Sequence, residues 1–67
     1  MKELYYVWRL GNGKIANIAK RDKQGLYYSI SNDGKWIEEP NLKRIEFEVT
    51  DYEKIDKEEA ERLIKEL

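Results

Sequence analysis

Leu4, Tyr6, Trp8 and Leu10 recur at every second position through the run L-Y-Y-V-W-R-L, and this period of two, in aromatic and β-branched company, predicts a strand over about 3–10. Gly11-Asn12-Gly13 supplies the positive φ of a tight hairpin, so a second strand is expected to return antiparallel over 14–21. Ile15 and Ile18 stand three apart, a spacing that a short helix over 14–22 would also give; the hairpin turn favours the strand, and a bulge near Asn17 reconciles the spacing. Asp22-Lys23-Gln24-Gly25 is a polar turn into the alternating run Leu26 to Ile30, a third strand over 26–31. Asn32-Asp33-Gly34-Lys35 offers a type I′ or bulged hairpin turn before a short fourth strand over 35–38.

Pro40 cannot donate to a ladder and marks a break. After it, Ile45, Phe47 and Val49 alternate with Glu46 and Glu48, which predicts a fifth strand over 44–50, with a turn of helix over 41–44 as an alternative just before it. The last segment reads as a helix over 57–67. Asp56 is its cap, Glu59 follows three residues later, and Ile55 is placed to staple onto Ala60. Ala60, Leu63, Ile64 and Leu67 form one apolar stripe against Glu58, Glu61, Arg62 and Lys65. Together these elements predict an α+β fold in a single domain over 1–67: an antiparallel meander of four to five strands with one C-terminal amphipathic helix across one face.

Composition narrows the chemistry. The 67 residues contain no Cys and no His, which removes thiolate nucleophiles, imidazole bases and Cys/His zinc cages. Five Tyr, two Trp and one Phe supply apolar area that a chain without disulfides or metal needs for its core. No apolar run approaches the ~20 residues of a membrane span, and Met1-Lys2-Glu3-Leu4 leads straight into patterned sequence without a signal-peptide core, so the expected compartment is the cytoplasm. The net charge of −1 hides a split: residues 1–45 carry nine Lys/Arg against five Asp/Glu, and residues 46–67 carry four against nine. The strand region is therefore locally basic.

Three motifs resolve into turns and caps. G-N-G-K-I-A at 11–16 has the spacing of a dinucleotide fingerprint, but such a unit needs a parallel sheet larger than the rest of the chain supplies. An EF-hand frame with its glycine at Gly34 puts Pro40 where the bidentate Glu belongs. Glu58, Glu59 and Glu61 suit the positive end of a helix dipole, and a chain this short has little volume for the desolvated cleft that acid–base work by Glu38 or Glu39 requires. No enzyme activity, cofactor or metal is implied.

The order Tyr6 to Arg9, Gly13-Lys14, Asp33-Gly34-Lys35-Trp36, Pro40-Asn41-Leu42 and Ile55-Asp56-Lys57-Glu58-Glu59-Ala60 resembles a pattern in short uncharacterised bacterial and phage-associated proteins. The resemblance implies a small bacterial domain and carries no activity, cofactor or site residue. Asp56 stands where that pattern has Ser, and it caps a helix equally well.

Strand alternation directs the functional expectation. With Leu4, Tyr6, Trp8, Leu26, Tyr28 and Ile30 turned to the helix, Tyr5, Val7, Arg9 and Tyr27, with Ile37, would share the opposite face. One helix cannot cover both faces, so this set is expected to form an exposed aromatic patch rimmed by Arg9, Lys20, Arg21 and Lys23. It would dock a protein, including a second copy of the chain as a homodimer. The alternative is single-stranded nucleic acid stacked on Tyr5 and Tyr27 and flanked by Lys20, Arg21 and Lys23; the pI near 5.5 counts against it. A third reading has strong sheet curvature, or the 39–54 segment folded over the face, complete the core.

Overall fold

Three hairpins of one design build most of the chain. In each, a residue pair closes a three-residue loop, and a glycine in the left-handed region ends it. Leu10 N–H donates to Lys14 O at 2.8 Å around Gly13, Asp22 N–H to Leu26 O at 2.9 Å around Gly25, and Ser31 N–H to Lys35 O at 2.8 Å around Gly34. The φ values of Gly13, Gly25 and Gly34 are 84°, 89° and 81°, which side chains with a Cβ rarely adopt. This is the type I turn with a glycine bulge.

The structure, a computed structural model, describes residues 2–46 and 51–67. It is α+β, as the pattern predicts. Strands β1 (Leu4–Arg9), β2 (Ile15–Arg21), β3 (Tyr27–Ile30), β4 (Trp36–Glu38) and β5 (Tyr52–Ile55) form one antiparallel sheet in the order β4-β3-β2-β1-β5. A 3-10 helix spans Pro40–Glu46, and α1 (Lys57–Lys65) packs against β1. Asp56 caps α1 by accepting from Glu59 N–H at 2.8 Å. No helix among the described residues is long and apolar enough to cross a membrane.

Within 14–22 the chain is strand over Ile15–Arg21 and not helix, with a bulge beside Asn17. Trp8 stands opposite Asn17 and Arg9 opposite Ile15, so Ala16 is the extra residue. Its consequence is large. Upstream of the bulge the register places Val7 against Ile18 and Tyr5 against Lys20, and Lys20 in turn faces Tyr28. An uninterrupted ladder from the Leu10–Lys14 pair would have set Tyr5 against Ala19, and through Ala19 on the face of Ser29 and Tyr27. One inserted residue exchanges the faces.

The expected faces are therefore corrected. Tyr5, Val7, Ile18, Lys20, Tyr28, Ile30 and Trp36 share the side on which α1 lies, where Val7 (1% exposed), Ile18 (0%) and Leu63 (3%) form the core centre. Leu4, Tyr6, Trp8, Asn17, Ala19, Tyr27, Ser29 and Ile37 share the other. The apolar stripe of α1 thus meets the side of the sheet that carries Val7 and Ile18. On the opposite side Tyr6, Ala19 and Tyr27 are also buried. The 3-10 helix, with Leu42 and Ile45 half-buried, packs against β3.

The fifth strand is also displaced. Residues 44–46 belong to the 3-10 helix, which begins at Pro40 rather than ending at 44, and the last strand is Tyr52–Ile55. Phe47 and Val49, which carried the alternation, lie outside the described residues. The helix ends at Lys65, so Leu67 is 54% exposed and does not extend the stripe.

Because Ala16 sets the parity of the sheet while its own side chain is exposed, its deletion is expected to unfold the protein, whereas Ala16→Ser changes stability by less than about 0.5 kcal/mol. Thermal melts followed by circular dichroism distinguish the two; equal melts for both variants would contradict the bulge-set register.

Candidate interaction surface

The residues expected to form one docking face are separated by the fold. Tyr5 is 7% exposed, Val7 1% and both lie under or beside α1, while Tyr27, at 5%, is buried on the other side. Arg9 is exposed at the end of β1 on the α1 side. Ile37 keeps its exposure, 57%, at the centre of β4. The basic residues divide as well: Lys20 is on the α1 side, Arg21 opposite Tyr27 on the other, and Lys23 in the turn between β2 and β3. An aromatic platform of Tyr5 and Tyr27 flanked by these cations is not assembled.

The aromatic rings work in packing. Tyr5 lies 6.4 Å from Trp36, centroid to centroid, and Lys20 Nζ sits 4.8 Å from the Trp36 ring centre and 5.4 Å from that of Tyr28. A cation on two ring faces, each worth about 0.5–1 kcal/mol at a partly exposed site, ties β2, β3 and β4 together on the α1 side of the sheet. Burial, with Glu3 and Glu61 nearby, pushes the Tyr5 phenol above its usual range. On the far side Trp8 and Tyr52 are 5.9 Å apart, Asn17 Nδ2 donates to the Tyr52 hydroxyl at 2.7 Å, and Ser29 Oγ donates to Asn17 Oδ1 at 2.8 Å. The polar groups facing these rings are thereby satisfied.

What remains open is the β4 edge. Among the described residues no strand lies beyond β4. Ser31 pairs with Lys35, and Glu39 N–H donates to Tyr27 O at 2.9 Å, so alternation makes Ser29–Ile37 the hydrogen-bonded pair between them. The N–H and C=O of Trp36 and Glu38 consequently point away from the sheet. The other edge, β5, carries exposed Glu53 and Lys54 and no exposed large apolar side chain, which guards it against pairing. Leu10, Leu26 and Leu67, the other exposed large apolar side chains among the described residues, stand in turns or at the terminus. Lys35, Trp36, Glu38 and Glu39 were not singled out as contact residues from sequence; Lys35 and Glu39, opposite charges four apart around Ile37, are the signal that could have marked them.

Among the described residues no group of three or more acids could hold a metal ion. An open cleft of about 800 Å³ near the start of α1 is lined by Lys2, Lys23, Lys54 and Lys57, and by Glu3, Asp56 and Glu59; Lys57 and Glu3 meet there at 4.0 Å.

Turn chemistry gives the surface its pH dependence. Asp22 accepts from Leu26 N–H and Gln24 N–H at 2.9 Å and from the Tyr28 hydroxyl at 3.0 Å. These bonds, the Leu26 amide foremost, hold its carboxyl below the usual range, and the same Asp22 bond raises the Tyr28 phenol. A carboxyl depressed in the folded state adds stability above its unfolded pKa of about 3.9, and that stability is lost as pH falls through the lower folded value. Ser31 Oγ, donating to Asp33, lowers the Asp33 carboxyl with the same sign. Melting temperatures between pH 2 and 6 are expected to fall on acidification less steeply in Asp22→Asn than in the unmodified protein; parallel curves would contradict the assignment. Compared with known protein families, curated proteins and solved structures, the chain matches none.

Proposed function

We propose that the protein is a small non-enzymatic interaction module that binds another protein by adding a strand to the open edge at β4. The observation that carries this reading is Ile37, 57% exposed in the middle of an edge strand whose outer backbone groups have no strand to pair with among the described residues. An extended segment laid along β4 gains main-chain hydrogen bonds from Trp36 and Glu38, and Ile37 gives it an apolar contact. The strand is short and is flanked by Lys35 and Pro40, so the edge accepts a brief, specific partner and resists long uncontrolled pairing. A non-catalytic role is supported by the absence of His and Cys from the whole sequence.

The test is photo-crosslinking in living cells with benzoylphenylalanine placed at Ile37, and at Glu61 on the exposed side of α1 as the control. Crosslinked protein, either a second copy or a different chain, is expected at position 37 and not at 61. Equal yields at the two positions would overturn the reading.

A further inference from the structure

We infer that the segment pairing with β4 is β4 of a second copy, antiparallel about a two-fold axis through Ile37. This inference rests on the open-edge reading above and names its partner. A two-fold pairing of this edge must bring the outward groups of Trp36 and Glu38 onto one another, which leaves registers centred on Trp36, Ile37 or Glu38.

Charge and backbone chemistry choose among them. Centred on Glu38, the register sets Glu38 against its own copy, Ile37 against Glu39, and Trp36 against Pro40, which has no N–H to give. Centred on Trp36, it sets Lys35 against Ile37 and Glu38 against Gly34, a residue already in the turn. Centred on Ile37, Trp36 and Glu38 of the second copy exchange hydrogen bonds, as does the symmetric pair. The two Ile37 side chains then meet in a non-hydrogen-bonded pair, with Cα atoms about 4.5 Å apart. Lys35 faces Glu39 of the second copy on the same side of the sheet, and Glu39 faces its Lys35. The exposed apolar residue is covered by itself, and both flanking charges are opposed by their complements. Pro40, immediately beyond, ends the ladder.

The 3-10 helix departs from β4 toward β3, so it leaves the outer edge accessible. The contact joins two five-stranded sheets into one and closes on itself, since the β5 edges at its far ends are the charged ones. Five residues from each copy form a contact smaller than the ~1,200 Å² of a stable dimer. Association is therefore weak and concentration-dependent.

Sedimentation equilibrium from about 0.05 to 1 mM tests it, with circular dichroism melts confirming that each variant is folded. Unmodified protein is expected to dimerise, and Ile37→Lys to stay monomeric. Lys35→Glu and Glu39→Lys, each creating two like-charge pairs, weaken the dimer about tenfold or more, and the double variant K35E/E39K returns to within about threefold of the original. A protein monomeric at 1 mM overturns the inference, and a different chain crosslinked at Ile37 then shows that the open-edge reading survives it. Dimerisation abolished by Ile37→Lys but not rescued by the double variant overturns the register alone. Dimerisation indifferent to Ile37→Lys overturns the edge pairing itself.

Discussion

The bulge at Ala16 is the constraint on which the rest of the structure depends. By inserting one residue opposite the Trp8–Arg9 step, it puts Val7 against Ile18 and so collects Ile15, Ile30, Trp36 and Ile55 around one aliphatic centre. Leu63 and Ala60 of α1 dock on that centre, and the rings of Tyr6 and Tyr27 are left to the other side. Burying residues on both sides is how a chain of 67 residues without cysteine acquires a core.

Width then decides where surface is left over. Five strands at about 4.8 Å spacing span about 19 Å between the outer two, roughly twice the diameter of a helix. Seated on β1, α1 shares its centre with Ile30 of β3 and Trp36 of β4, and these outer strands are held further by the Lys20 cation over Tyr28 and Trp36 and by the 3-10 helix packed against β3. Among the described residues no strand lies beyond β4. The functional reading is thus a residue of the packing problem, an edge that the elements of this fold do not cover.

The elements were largely legible in the sequence because their signals are local. Gly13, Gly25 and Gly34 mark three turns that need a left-handed residue, and Asp56 with Glu59 marks the start of α1. The candidate site was not legible to the same degree. Tyr5 and Tyr27 look like neighbours on one face when strands are laid out by simple alternation, and the bulge that separates them is signalled only by the odd spacing of Ile15 and Ile18. Alternation at Ile45, Phe47 and Val49 suggested a strand from residue 44, but Pro40 starts a 3-10 turn that runs on through Glu46. Ile37 was recognised as a contact residue, yet for a face; its place on an edge depends on strand order, which no local pattern encodes.

The most direct test of the open β4 edge is amide hydrogen exchange in dilute solution, residue by residue along 35–39. Ile37 and Glu39, whose N–H groups point into the sheet, should exchange slowly, while Trp36 and Glu38 exchange at nearly the rate of unstructured chain. Trp36 and Glu38 protected as strongly as Ile37 would mean that the edge is already covered, and would contradict the account.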